Sequence, residues 1–155
     1  MLITSALPLF DSIENGFTNA IINLCDCFGN ISSPNSIEIR VKYPGSYAAD
    51  RMTRKGDLHK LGTVSCSLEN NTLVLNAYIC YNFNDRMSID NATLFDPTIF
   101  FACMHQVKDV LSDHNLIGVH ISITSFIKFG IESSVILSIL THVANNVPYN
   151  LIVTV

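Results

Sequence analysis

The sequence predicts an α/β domain whose sheet is covered on both faces. Three observations carry this expectation. Hydrophobic residues make up 48% of the 155-residue chain and charged residues only 14%. Most faces of most elements must then be buried, which favours a sheet with helices on either side. The second half alternates strand-like and helix-like segments, the pattern of a layered α/β domain. Between the halves, 63–79 reads as a β-hairpin: Thr63–Leu68 alternates, with Val64, Cys66 and Leu68 on one face. Thr72–Ile79 is apolar and β-branched, and Glu69-Asn70-Asn71 supplies residues that tolerate the positive φ of a tight turn.

The elements follow in chain order. Met1–Ser5 is short and apolar, an edge strand. Ala6–Phe17 breaks the pattern with Pro8, Asp11, Asn15 and Gly16. Asn19–Cys27 is apolar without clean alternation, as expected of a strand buried on both faces. Phe28–Asn35 is a loop by its Gly, Asn, Ser and Pro content. Ser36–Tyr43 is ambiguous: Ile37, Ile39, Val41 and Tyr43 alternate with Glu38, Arg40 and Lys42, the period of a strand. Yet Ser36 could cap a helix and Pro44 would stop one. Gly45–Arg54 reads as a short helix carrying Tyr47 and Met52. Asn82–Leu94 is polar and irregular. Asp96-Pro97 opens a helix, with Asp as N-cap and Pro at N1. Phe100, Cys103, Met104, Val107, Val110 and Leu111 then keep helical spacing. Leu116–Ile123 is a buried strand and Ser125–Gly130 a loop. Glu132 or Ser133 begins a last helix with Val135, Ile136, Ile139, Leu140 and Val143 inward, and Asn150–Val155 is a terminal strand.

Composition excludes several functions. The length suits a single domain, 1–155. The net charge of −4 and the scattered basic residues argue against a nucleic-acid module; only Arg51, Arg54, Lys55 and Lys60 form a small group. Neither a signal peptide nor a membrane span is expected. The five cysteines are odd in number, lack a CxxC pair and lie in apolar runs, so buried free thiols in a reducing cytoplasm are expected. His59, His105, His114, His120 and His142 show no zinc-binding spacing, so no metal or other cofactor is expected.

One stretch carries a family resemblance. Gly56-Asp57, then Lys60-Leu61-Gly62-Thr63, then a strand with Asn76 and Tyr78, resembles the small macro domains of bacteria and their phages. There the run reads approximately GD-x-x-KLG-T, followed by a strand ending N-x-Y-x-Q; Cys80 stands where the Gln often is. The resemblance implies a three-layer fold with a mixed sheet of about six strands. It also implies that Ser36–Tyr43 is a helix despite its alternation.

Macro domains bind ADP-ribose or its derivatives, and some hydrolyse ADP-ribose linkages. The features that carry this are replaced here. Leu7-Pro8 stands where an acidic residue would hold the adenine, and Asp26 stands where an Asn would lie beside the distal ribose. Ile31–Ser36, without a glycine and with Pro34, replaces a glycine-rich loop whose amides approach the ligand. Ile123–Phe129 replaces a second glycine loop that wraps the diphosphate. Bulky side chains such as Phe126 and Ile127 should fill the cleft or turn outward. If a ligand is held, Asp26, Cys27, Phe28, Asn76, Tyr78, Ser125 and Phe126 are the residues expected around it, and no catalytic residue is assigned. The resulting expectation is a diverged, non-catalytic module of the phage type, cytoplasmic, acting through a protein partner or self-association. The other reading is a binder or weak hydrolase of ADP-ribose or a related nucleotide.

Overall fold

A computed structural model describes residues 1–15, 18–31, 33–84 and 95–155. Six strands form one sheet: β1 (Leu2–Ser5), β2 (Ala20–Asp26), β3 (Val64–Glu69), β4 (Thr72–Cys80), β5 (Gly118–Ser122) and β6 (Asn150–Thr154). Their order is β1-β6-β5-β2-β4-β3. Every neighbouring pair is parallel except the antiparallel hairpin β3–β4. The helices are α1 (Leu9–Asn15), α2 (Pro34–Lys42), α3 (Pro44–Arg51), α4 (Pro97–Asp113) and α5 (Ser133–Asn146).

Strand alternation sorts side chains into two cores. Ile22 and Leu24 of β2, and Leu73, Leu75 and Ala77 of β4, join Phe100, Met104, Ile136 and Leu140 of α4 and α5. Ile21 and Val74, on the opposite face, join Leu9, Ile13, Ile39 and Tyr43 around α1 and α2. The result is three layers with a mixed sheet in the middle, as expected.

The hairpin turn follows its local chemistry: Asn70 and Asn71 have φ of +49° and +62°, the left-handed pair that matches strand twist. The 36–42 segment is helical, and Tyr43 is its C-cap. Ile39 and Tyr43, at i and i+4, face the sheet, while Ile37 and Val41 are exposed, so its strand-like alternation puts half its apolar residues in water. The cap is Ser33 rather than Ser36: Ser33 Oγ accepts from Ser36 N at 3.3 Å, with Pro34 in the first turn. The Asp96 cap forms as expected, its carboxylate accepting from Thr98 N at 2.9 Å.

Other expectations are corrected. Residues 9–15, read only as broken pattern, form α1, whose burial rests on Leu9 and Ile13 one turn apart. Residues 123–129, read as a loop, form a 3-10 helix that ends at Gly130 with φ +63°; Phe126 and Phe129 drive it inward. Val135 points outward. Cys66 is exposed because β3 is the outer strand, whereas the other four thiols are buried. Of the polar stretch 82–94, residues 85–94 lie outside the described residues, as do 16, 17 and 32. Among the described residues no helix is long and apolar enough to cross a membrane.

Candidate functional site

In an open α/β sheet, ligands bind outside the carboxyl ends of the parallel strands. Here the segments leaving β1, β2, β4 and β5 gather at that end. The exit of β2 is organised by Asp26, which is fully buried. One of its oxygens accepts from Phe28 N and Asn30 N, both at 3.0 Å. The other accepts from Asn30 Nδ2 at 2.8 Å and Phe83 N at 2.9 Å. The carboxylate is thus committed to the turn that follows β2 and to the chain leaving β4. Cys27 is buried, and burial pushes its thiol up to about 11, which removes thiolate character at neutral pH. Phe28 packs edge-on against Tyr81, their centres 4.9 Å apart.

The two walls of the trough touch. Asn35 Nδ2, in the first turn of α2, donates to Thr124 Oγ1 at 2.7 Å, and the Ser122 and Thr124 hydroxyls are 2.8 Å apart. Ser125 is buried behind them. Phe126 is buried among Phe95, Phe100 and Phe129, with ring centres 5.7, 5.7 and 6.5 Å away. Ile127, its neighbour, is 66% exposed. A cavity of about 350 Å³ remains at the ends of β1, β5 and β6, beside Leu7, Pro8 and Thr124; among the described residues its one charged lining side chain is Glu38. A site for a diphosphate needs cations or free amide donors, and this lining offers a carboxylate.

Asn76 and Tyr78 lie elsewhere, on the α3 side of the sheet. Asn76 Nδ2 donates to Ser46 O at 2.8 Å and to Ser65 Oγ at 3.1 Å, and its oxygen accepts from Asn23 Nδ2 at 3.0 Å. Tyr78 Oη donates to Asp50 Oδ1 at 2.8 Å and pairs with Ser65 Oγ at 2.9 Å. Burial raises the Tyr78 phenol above its ordinary value, so it stays a neutral donor. These bonds fasten α3 to the hairpin. The glycines of the same motif hold the adjoining loop in place. Gly56 (φ +76°) donates its N–H to Cys27 O at 2.7 Å, and Gly62 (φ +79°) to Tyr78 O at 3.0 Å. A side chain at Gly56 would also meet the Phe28 ring at 3.0 Å.

The structure therefore gathers Asp26, Cys27 and Phe28 at the exit of β2, and Ser125 and Phe126 at the facing wall. Asn76 and Tyr78 are turned into a buried network with α3, which Lys60 links to the exit of β2: its Nζ donates to Cys27 O and lies 4.4 Å from the Tyr78 ring centre. The sequence reading missed Asn35, Thr124 and Asp50. Asp50 on α3 meets Tyr78 on β4 side chain to side chain, the one polar pair a sequence could signal, whereas Asn76 reaches the main-chain carbonyl of Ser46, whose hydroxyl donates to Tyr43 O. No pattern announces the Asn35–Thr124 contact. Among the described residues no group of three or more His, Cys, Asp or Glu could hold a metal.

No family model matches the chain, and no curated protein does. Solved structures do. The macrodomain of Mycobacterium tuberculosis DarG superposes with a TM-score of 0.71 at 12% identity, covering 99% of this chain and 97% of that one. A macrodomain protein from Streptomyces coelicolor gives 0.64 at 14% identity, covering 89% and 88%. Thermosipho africanus DarTG in complex with ADP-ribose gives 0.71 at 7% identity, covering 99% of this chain and 41% of that one. At such identities the likeness is one of architecture, and it agrees with the six-stranded mixed sheet and its flanking helices: the chain has the macro-domain fold.

Proposed function

We propose that this macro-fold chain is a non-catalytic interaction module of the phage type, engaging a protein partner through the remodelled loops at the carboxyl end of its sheet. The observation that carries this reading is the contact between the two walls of the trough: Asn35 Nδ2 lies 2.7 Å from Thr124 Oγ1, and the cavity of about 350 Å³ that both residues line presents the Glu38 carboxylate. Asp26 supports it, since both its oxygens are already occupied by protein donors. Ile31, Ile37 and Ile127 are exposed on these walls and offer apolar contact area.

The second reading, an ADP-ribose-type binder, is favoured by the likeness to the Thermosipho protein whose structure contains ADP-ribose. One experiment separates the two: titrate ADP-ribose by calorimetry and follow the melting temperature in parallel. A ligand at a hundred times its Kd adds about 2.7 kcal/mol of stability. The interaction-module reading expects no heat and no shift at millimolar ADP-ribose. Micromolar affinity would overturn it and restore the nucleotide reading.

A further inference from the structure

A second recess lies beside α3, on the hairpin side of the exit of β2. Its volume is about 240 Å³, and Asp50, Arg51, Lys55 and Lys60 line it together with Gly29 and Tyr47. It shares no lining residue with the cavity at the ends of β1, β5 and β6. The chain as a whole carries a net charge of −4, yet three basic side chains meet here. A fourth, Arg40, stands next to them, its guanidinium 4.6 Å from the Tyr47 ring centre and donating to Gly29 O at 2.9 Å.

Lys60 is the telling residue. Burying an ammonium is costly unless its donors are filled, and Lys60 is only 8% exposed. Its Nζ donates to Cys27 O at 3.3 Å and lies 4.4 Å from the Tyr78 ring centre. Asp50 Oδ1 is 3.7 Å away, too long for a good hydrogen bond, and that oxygen already accepts from Tyr78 at 2.8 Å. An ammonium has three donors; among the described residues, one is used. Asp50 offsets the Lys60 charge at the floor, which leaves Arg51 and Lys55 as net positive charge at the rim. Both rim residues are exposed.

We propose that this recess binds a small oxyanion, either inorganic phosphate or the phosphate of a small monoester. Lys60 supplies the buried contact, and Arg51 and Lys55 close over it from the rim. An arginine fork and lysine ammonium groups together suit a phosphate group. The volume falls below the roughly 300 Å³ at which sites for drug-sized ligands begin, so the recess takes the anion or a short ester rather than a dinucleotide. This inference stands apart from the interaction-module reading, and neither depends on the other.

The test is a melting-temperature titration at constant pH with sodium phosphate, against sodium chloride at matched ionic strength. The wild-type chain and the Arg51→Ala/Lys55→Ala double variant are compared; both positions are exposed, so the variant keeps the fold. The expected result is a saturable rise with phosphate in the wild type, with the half-point moved at least tenfold higher in the variant. Glycerol phosphate saturating at a lower concentration than phosphate assigns an ester; equal half-points assign the bare anion. Lys60→Met, where it melts cooperatively, should lose the rise altogether. An equal rise with chloride, or a double variant that titrates like the wild type, overturns the proposal.

Discussion

Asp26→Asn separates a residue that builds the turn from one that waits for a ligand. Each carboxylate oxygen accepts two hydrogen bonds, at 3.0 and 3.0 Å on one side and 2.8 and 2.9 Å on the other. An amide can replace only one oxygen faithfully. Whichever way it turns, its NH2 group faces two N–H donors, so two bonds are lost and at least one main-chain donor is left without an acceptor; the half-buried Asn30 amide, one of the four donors, also donates to Asn82 Oδ1 at 3.0 Å. Hydrogen bonds to a charged group contribute roughly 1.5–3 kcal/mol each. Neighbouring losses do not add fully, so the expected cost is about 3–4 kcal/mol, a large share of a domain's usual stability. The assay is urea unfolding followed by far-UV circular dichroism, since the chain has no tryptophan. The midpoint should fall with the slope unchanged. A loss below about 1 kcal/mol would refute the reasoning, because a carboxylate held open for a ligand costs little to replace in the free protein.

Two further tests address the closed wall and the buried imidazole. Phe126→Ala should cost roughly 3–5 kcal/mol in the same assay, because the ring is buried among three other phenylalanines; Ile127→Ser next to it should stay within about 0.5 kcal/mol. Equal effects would mean the 123–129 segment is not packed as described. Burial holds the His120 imidazole below its ordinary value, with its Nε2 3.1 Å from Thr18 O. The unfolded chain therefore takes up a proton near pH 6.5 that the folded chain resists. The stability from this group is complete above about pH 6.5 and is lost as pH falls through the folded value, by at most about 1.4 kcal/mol per unit. Unfolding curves across pH 7.5 to 5 should be steeper in pH for the wild type than for His120→Gln; identical slopes would remove His120 as the cause.

Local chemistry made the hairpin legible: two asparagines in the left-handed region and a run of β-branched residues need no tertiary information. The helix α2 was legible only through the resemblance. Its period-2 pattern is a surface accident, since only Ile39 and Tyr43 reach the sheet while Ile37 and Val41 stay in solvent. The short helix α1 escaped because Leu9 and Ile13 give its sheet-facing side one repeat. Residues 123–129 escaped because Phe126 and Phe129 follow the three-residue spacing of a 3-10 helix, which resembles a loop when the partner rings are unknown. The site was least legible. Asp26 was visible as an unusual acid after a strand, but its four donors come from the following turn and from the distant Phe83. Asn35 and Thr124 meet only because the fold brings two loops together. Asn76 and Tyr78, expected around a ligand, instead bond to α3, at Ser46 O and Asp50 Oδ1.

Among the described residues the edge strand β1 has one ladder partner, β6, and the pairing is parallel, from Leu2 opposite Leu151 to Ser5 opposite Thr154. That arrangement sets an order of events as the chain is made. The hairpin β3–β4 can zip as soon as its own residues emerge, because its turn is two residues long and closing a short loop is fast. The first strand emerges with no surface to pair against and must wait until the last strand has joined β5. Sealing that border of the sheet closes a loop running from Leu2 to Leu151, longer than that of any other strand pair among the described residues, and carries a correspondingly large entropy of closure. Long-range pairing of this kind slows folding, and until it happens the flank of β6 stands as an unpaired edge, the part of a nascent sheet most prone to pair with a neighbouring chain.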